Sequence, residues 1–365
     1  MAAITKTIIH PGIQTRRTKM QIGVGLDATL NLSWEDQSVL AREAAAQGYT
    51  SIWTPEGTGH DSYQLCLRRW EASCDVVDGG VTTGISVSPV MYRTPMGFAM
   101  TGGTVSDISG GKFIMGIGSG GSYRPRARQA LGLPNFSTLA LMRDYLATIR
   151  PLVTGERVDY EGDVVTLRGA SLGINPPPRT PVYLGSLGPQ MLRLAGELAD
   201  GACLNWCSPE QIAWSRERVN EGAQKAGRDP SEVKLAEYIR VCVDDDEDVA
   251  RLAFAKATMN YALGATIPTE RERQLGYRAH FERMGFTDEL AGLDDMRRNG
   301  ASADEVADAF SPELLRTVGY YGNAAGAAAE FRRLAEGLDI AIVRVVAARP
   351  NIDSVRAVME ACRPG

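Results

Sequence analysis

The feature of this sequence that most limits its possible folds is an alternation of short β-branched runs with longer helical patterns. The second, third and fourth runs begin roughly thirty residues apart, which is the length of one strand–helix–strand unit. Such units build a sheet of parallel strands, and eight in succession favour closure. The predicted strands cover residues 21–27, 51–54, 83–88, 112–118, 181–186, 201–206, 233–243 and 340–346. The sequence therefore predicts an α/β fold, a (β/α)8 TIM barrel.

Two segments interrupt this period. Residues 157–168 alternate polar and apolar side chains around Glu161 and Gly162, which predicts a β-hairpin inserted at about 155–172. Residues 262–312 are charged, helical in pattern and too long for a plain loop. We expect a helical insertion there, before strand eight, either over the active-site face or at a subunit contact. Residues 20–365 are expected to form one domain after a flexible tail of residues 1–19.

Composition argues against several classes of function. A formal net charge of -5 does not suit a nucleic-acid surface, because phosphate contacts require an excess of Lys and Arg. No apolar run approaches the length of a membrane span. The six cysteines lack the close spacing of metal ligands, which indicates reduced thiols and no metal site. We expect a cytoplasmic protein that acts on a small-molecule substrate and binds neither nucleic acid nor a membrane.

In a barrel of this type the active site lies at the carboxyl ends of the strands. The polar or glycine residues that the sequence places there are Asp27, Glu56, Ser86, Ser88, Ser119, Gly120, Ser186, Asn205, Glu237 and Arg344. Any catalytic group of this chain is expected among these residues or in the loops that follow them.

Two glycine-bearing turns follow predicted strands. Residues 116–122 offer free N–H groups that suit an anion, although a mobile connecting loop is the alternative. Residues 185–189 open a helix, whose N-terminus attracts phosphate, although Pro189 would start that helix in either case. Arg124 follows the first turn and could bind an anionic tail or lie on a solvated loop. Together the two turns suit a ligand with an extended anionic tail.

Three residues are candidates for proton transfer. Glu56 lies at the mouth end of strand two, where a carboxyl group can be desolvated; a structural hydrogen-bond acceptor is the alternative. His60, four residues later, could reach a substrate or lie on a surface loop. Tyr92 could donate a proton or simply pack.

Three segments of this chain resemble the luciferase-like superfamily of flavin and deazaflavin oxidoreductases, and most closely its coenzyme F420-dependent branch. They are residues 111–120, the hairpin region 155–163 with 167–170, and residues 181–201. The resemblance covers roughly residues 20–245, and strand eight more loosely. It implies a homodimer and an enzyme that transfers hydride on F420, with FMN as the alternative cofactor.

The resemblance also implies which residues hold the deazaflavin and its phosphate-bearing side chain. They are Ile85, Ser86, Val87, Ser88, Ser119, Gly120, Gly121, Gly185, Ser186, Leu187 and Gly188, to which the anionic tail adds Arg124. Members of this family commonly have a non-proline cis peptide at the end of strand three, which is expected here near Ile85–Ser86.

The chain departs from the F420-dependent dehydrogenases of sugar phosphates and alcohols at two positions. Those enzymes place an acidic residue and then His after strand two, where this chain has Glu56 and Gly57. The sugar-phosphate enzyme has Glu where this chain has Gly121. The departures favour reduction of a C=N, C=C or C=O bond, as in the methylenetetrahydromethanopterin reductase branch. An FMN-dependent monooxygenase and a non-catalytic cofactor-binding barrel are the alternatives.

Overall fold

The structure is a computed structural model that describes residues 20–122, 128–129 and 134–365. The predicted tail of residues 1–19 and the predicted cofactor-binding residue Arg124 lie outside the described residues. Within those ranges no helix is long and apolar enough to cross a membrane.

Eight parallel strands close into a barrel. The strands of the described ranges are β1 Gln21–Gly25, β2 Ser51–Thr54, β3 Thr82–Pro89, β4 Phe113–Gly118, β5 Val158–Glu161, β6 Thr166–Ala170, β7 Val182–Gly185, β8 Gly201–Asn205, β9 Lys234–Val243, β10 Gly319–Gly322 and β11 Ile340–Val346. The barrel order is β1-β2-β3-β4-β7-β8-β9-β11, and β11 pairs with β1. Each of these eight strands coincides with a predicted one, so the predicted (β/α)8 barrel is confirmed.

Helices follow the strands, and most of them begin after a residue whose side chain caps the helix. They are α1 Trp34–Ala46, α2 Ser62–Ser73, α3 Pro95–Ile108, α4 Thr138–Val153, α5 Pro189–Leu198, α6 Pro209–Lys225, α7 Glu247–Ala262, α8 Glu270–Arg273, α9 Gly276–Arg283, α10 Thr287–Arg298, α11 Ala303–Asp308, α12 Pro312–Val318, α13 Ala324–Leu334 and α14 Ile352–Ala361. Ser33 and Asp36 cap α1 reciprocally, which satisfies two backbone N–H groups at its start.

The predicted hairpin is present as β5 and β6, which pair antiparallel. Asp144 of α4 fixes its turn by accepting hydrogen bonds from the backbone N–H groups of Val164 at 2.7 Å and Val165 at 2.9 Å. The Tyr160 hydroxyl donates to the same carboxylate at 2.7 Å. The hairpin is therefore attached to the outer layer of helices.

Strand β10 was not predicted. It pairs with residues 240–243 of β9, directly after the residues 234–238 that pair with β8. It therefore extends the barrel wall on that side towards its carboxyl end. The prediction missed it because four residues, Gly-Tyr-Tyr-Gly, carry neither a β-branched run nor an alternation.

The predicted helical insertion consists of α8 to α12. Its apolar side chains form a second core with Trp206 and Phe254, to which Phe281 and Phe310 contribute. Trp206 follows β8 directly, so this core lies at the carboxyl end of the barrel. Helix α9 lies over that end, where its Tyr277 and His280 contact Asn205 and Trp206.

Aromatic side chains fill the barrel interior, where Trp53 of β2 groups with Tyr183 and Tyr238. Gly84 of β3 makes room for Trp53: a Cβ atom added there would lie 2.4 Å from Cε3 of the indole ring. No real Cβ tolerates so short a contact, and Trp53 is fully buried.

Replacing Gly84 with Ala is expected to lower the free energy of unfolding by about 1–3 kcal/mol, because Trp53 must move in a close-packed interior. Urea unfolding measures the change. Gly292→Ala in α10 is the matched control: its added Cβ meets nothing within 4 Å, so stability should stay equal or rise by up to about 1 kcal/mol. Equal effects of the two substitutions would contradict this packing account.

Candidate active site

The side chain of Val87 enters the barrel where β3, β4 and β7 end. Three inward-facing glycines surround it: a Cβ added at Gly118 would lie 2.4 Å from Cγ2 of Val87, and one at Gly116 or Gly185 would lie 3.3 or 3.2 Å from its Cγ1. Any larger residue at Gly118 would displace Val87. We call Val87 with Gly116, Gly118 and Gly185 the valine shelf.

A backbone irregularity places Val87 in this position. Ile85 pairs with Met115 and Ser88 with Ile117, so β3 carries one additional residue between these pairs. The non-proline cis peptide is Ser86–Val87. The cis peptide expected near Ile85–Ser86 is thus present, one bond further along, because Ile85 still belongs to the regular ladder.

The first glycine turn lies directly beside the shelf. Gly120 and Gly121 have φ values of 54° and 80°, the left-handed region that glycine adopts without strain. A Cβ added at Gly120 would lie 2.4 Å from Cβ of Pro89, the last residue of β3. The turn closes with a hydrogen bond from Ser122 N to the Ser119 carbonyl at 2.9 Å. Predicted residues 119–121 and 85–88 thus lie together.

The second glycine turn leads into α5. Gly188 precedes the helix without a side-chain hydrogen bond to its first N–H groups, and a Cβ added there would meet nothing within 4 Å. The Ser186 hydroxyl donates to the Leu184 carbonyl at 3.1 Å, so it serves the turn itself. The carbonyl of Leu187 accepts a hydrogen bond from Arg283 of α9 at 3.0 Å. The turn therefore presents backbone N–H groups at an open helix N-terminus, which suits an anion.

Glu56 is held by a network of charges at the ends of β2 and β3. Arg93 donates to both of its carboxylate oxygens, at 2.6 and 2.7 Å, and the Ser88 hydroxyl donates to the same group. Arg93 also pairs with Asp61. The backbone N–H of Glu56 donates to the Val87 carbonyl at 3.2 Å. Glu56 is thus a structural acceptor that ties the shelf to β2.

His60 and Tyr92 lie at the rim of this network. His60 is adjacent to Asp61 in sequence and Tyr92 to Arg93, so the Asp61–Arg93 ion pair brings both backbones together. His60 stacks on the exposed ring of Trp34, with 4.6 Å between ring centroids. Tyr92 is 41% exposed. Both side chains reach solvent, whereas Glu56 does not.

Buried arginines lie on the opposite wall. Arg344 of β11 pairs with Asp27, which follows β1, and Arg240 of β9 donates to Asn205 Oδ1 at 2.5 Å. The Asn205 side-chain amide in turn donates to the Tyr277 hydroxyl of α9 at 2.7 Å. Sequence reasoning found Asp27, Asn205 and Arg344 but missed Arg240. The signal was present, since Arg240 follows Tyr238 by two residues and therefore shares its inward face.

Glu237 does not face the barrel mouth, contrary to the expectation. It lies in the middle of β9, on the outward face between Leu235 and Ile239, and accepts a hydrogen bond from Cys207 N at 2.7 Å. Burial raises the pKa of Glu237 to about 8. Its neutral form therefore supports the loop after β8 at neutral pH.

His280, which belongs to α9 of the helical insertion, also holds the loop after β8. Its Nε2 donates to the Trp206 carbonyl at 2.7 Å, and Arg283 donates to its Nδ1 at 3.4 Å. Burial lowers the pKa of His280 to about 4, so the ring is neutral. With Tyr277 and Arg283, His280 places α9 over the loops after β7 and β8. Sequence reasoning did not single out His280, because the Trp206 carbonyl to which it donates is 74 residues away.

A family model described as luciferase-like monooxygenase matches residues 18–341. The chain belongs to the luciferase-like monooxygenase family. Among the members it resembles is a 5,10-methylenetetrahydromethanopterin reductase of Archaeoglobus fulgidus, 33% identical over 251 residues, which covers 68% of this chain and 72% of that protein. An F420-dependent glucose-6-phosphate dehydrogenase of Mycolicibacterium fortuitum is 29% identical over 57% of this chain and 62% of its own length. The match therefore spans less than two thirds of that protein.

Solved structures of this family share the barrel. The F420-dependent tetrahydromethanopterin reductase of Methanopyrus kandleri superposes with a TM-score of 0.75 at 21% identity, covering 94% of this chain and 97% of that one. An F420-dependent secondary alcohol dehydrogenase reaches 0.72 at 18% identity, covering 95% and 100%. At these identities the structures establish the luciferase-like fold. The described residues contain no group of His, Cys, Asp and Glu that could hold a metal ion.

The raised pKa of Glu237 predicts a pH dependence of stability. Between about pH 5 and 7.5 the folded chain holds a proton that the unfolded chain releases, so the free energy of unfolding should fall with rising pH by up to about 1.4 kcal/mol per unit. Glu237→Gln keeps an oxygen for Cys207 N but cannot ionise, so its slope should be flatter.

Urea unfolding across this pH range measures the slopes. The exposed Glu71→Gln is the control and should keep the slope of the unsubstituted protein. Identical slopes for that protein and Glu237→Gln would show that Glu237 is already ionised.

Proposed function

We propose that this chain is an F420-dependent reductase that transfers a hydride from the reduced deazaflavin to a C=N, C=C or C=O bond of a small organic substrate. The observation that carries this proposal is the valine shelf, with the glycine turns that follow β4 and β7 next to it. Relatives of this chain include the 5,10-methylenetetrahydromethanopterin reductase of Archaeoglobus fulgidus and the F420-dependent glucose-6-phosphate dehydrogenase of Mycolicibacterium fortuitum, which supports F420 as the cofactor. The homodimer and the cytoplasmic location expected from the sequence stay predictions.

The residues around the shelf fit a flat ring with an anionic tail. Residues 85–88 would support one face of the ring, where the absence of side chains at Gly116, Gly118 and Gly185 leaves Val87 as the contact surface. The turns at 119–121 and 185–188 would hold the tail, the second through the open N-terminus of α5. When bound, reduced F420 supplies a hydride from C5 of its ring. The protein's contribution is to position the two reactants and exclude water.

Proton supply is proposed to follow the Glu56 network. The reduction is a two-electron step in which one substrate atom gains a hydride and its neighbour, which takes the electron pair of the broken π bond, gains a proton. The proposed buried proton carrier is the Ser88 hydroxyl, which donates to Glu56 and belongs to the residue after Val87. His60 and Tyr92 are exposed at the rim and exchange protons with solvent. Glu56 holds the hydroxyl in place and balances the charge that develops during transfer.

The cofactor is tested by a fluorescence titration of the purified protein with F420 and, separately, with FMN. We expect F420 to bind with a micromolar or lower Kd and FMN to bind at least about tenfold more weakly. Gly118→Ala should weaken F420 binding by about tenfold or more, because its Cβ displaces Val87. Gly173→Ala, whose Cβ meets nothing within 4 Å, is the matched control. Preference for FMN would move the assignment to the flavin monooxygenases, and binding of neither would leave only the fold.

Glu56→Gln should lower kcat by about a hundredfold or more while F420 affinity stays within about threefold. The amide keeps the shape of the side chain but not the charge that holds Ser88 and Arg93. Steady-state kinetics and the F420 titration give the two numbers. Asp75→Asn, which removes the exposed carboxylate partner of Arg42, is the control and should leave kcat nearly unchanged. A loss of affinity that matches the loss of kcat would reduce Glu56 to a support for the shelf.

A further inference from the structure

Two buried arginines on neighbouring strands point into the barrel. Arg344 of β11 and Arg240 of β9 are paired in register, so their Cα atoms are about 5 Å apart. Ile342 and Tyr238, two residues earlier, belong to the interior cluster, and side chains alternate along a strand. The two arginine side chains therefore extend into the barrel from adjacent positions on its inner wall.

The charges on this wall are not balanced. Arg344 is 5% exposed and Arg240 is 3% exposed, yet within the described ranges the only carboxylate paired with either is Asp27, which pairs with Arg344. Arg240 has neutral partners: it donates to Asn205 and its guanidinium lies 3.6 Å from the ring centroid of Trp206. Burial lowers the pKa of both arginines. Because a buried charge without a counter-charge is costly, this wall favours an anion.

Arg344 also retains unused donors. Within the described part of the chain, its Nε and Nη1 are buried without a hydrogen-bond partner. Arg69, which is equally buried, differs: its guanidinium donates to Gln37 Oε1 at 2.6 Å and to the carbonyls of Leu26 and Trp53. Neutral acceptors of the protein itself can thus satisfy a buried arginine at a position where no ligand binds. The free donors of Arg344 point to a ligand.

The position of the pair opposes the valine shelf. In the closed order of eight strands, β9 lies four strands from β3, and β11 lies four strands from β4. The arginines therefore lie across the barrel mouth from Val87. A ring supported by Val87 would turn its other face towards them, and a substrate would lie between the two.

We propose that Arg344 and Arg240 bind a carboxylate of the substrate. The substrates of this reductase would then be small molecules that carry a carboxylate in addition to the bond that is reduced. This inference rests on the proposed function, because the shelf must hold the cofactor for the arginines to face a substrate. A carboxylate supplies the missing negative charge and accepts from Nε or Nη1 of Arg344 and from Arg240. An anionic part of the cofactor has the same chemistry, and the experiment separates the two sources.

The experiment uses the full chain with F420 bound and acetate as the probe. Acetate binding is measured by the shift in unfolding temperature and by calorimetry, with acetamide and with chloride at equal ionic strength as controls. We expect acetate to bind and stabilise the F420 complex, and acetamide and chloride not to. Arg344→Met and Arg240→Met should each weaken acetate binding by about tenfold or more. Exposed Arg42→Met should not.

The same variants identify the source of the anion. If it belongs to the substrate, F420 affinity in Arg344→Met and Arg240→Met stays within about threefold and acetate does not compete with F420. Loss of F420 affinity with competition would assign the arginines to the cofactor and overturn this inference. F420 binding without any acetate effect would overturn it too, while leaving the proposed function intact. Should one Met variant fail to fold, Arg344→Lys, which keeps the charge but loses Nε and Nη1, must still weaken acetate binding.

Discussion

The contact of Val87 with Gly116, Gly118 and Gly185 is the constraint on which the rest of this active site depends. Three glycines on two strands would weaken an ordinary sheet, because glycine loses more conformational entropy than other residues. Here their missing side chains admit Val87 into the barrel. The glycine turns after β4 and β7 directly follow the strands that carry these glycines, so the ring and the tail of one ligand can be held by neighbouring backbone segments.

Charge is distributed unequally around the mouth. On the side of β2 and β3, Arg93 lies between Glu56 and Asp61, so two carboxylates compensate one guanidinium. On the side of β9 and β11, Asp27 pairs with Arg344, whereas Arg240 donates to the neutral Asn205. With the proposed cofactor on the valine shelf, this arrangement would place a hydrogen-bonded wall that supplies protons beside the cofactor and a cationic wall opposite it. That asymmetry orients a substrate whose reducible bond and whose anionic group lie at different ends.

Much of this could be predicted from the sequence, for physical reasons. The eight barrel strands are apolar and β-branched, and the glycine turns follow them directly, so the fold and the shelf region follow from local patterns. Partnerships between distant residues could not be predicted: Arg93 binds Glu56 across 37 positions, and nothing in the spacing of the two indicates it. Arg240 was predictable from alternation along β9, whereas β10 was too short and too rich in glycine to be recognised. The Ser86–Val87 position depended on the register of β3 with β4.

The most direct test of this account is a crystal structure of the protein with F420. The account predicts that the deazaflavin ring lies against Val87, that its phosphate lies at the N-terminus of α5, and that the other face of the ring is turned towards Arg240 and Arg344. A ring bound away from Val87, or one whose free face is turned away from the two arginines, would contradict it.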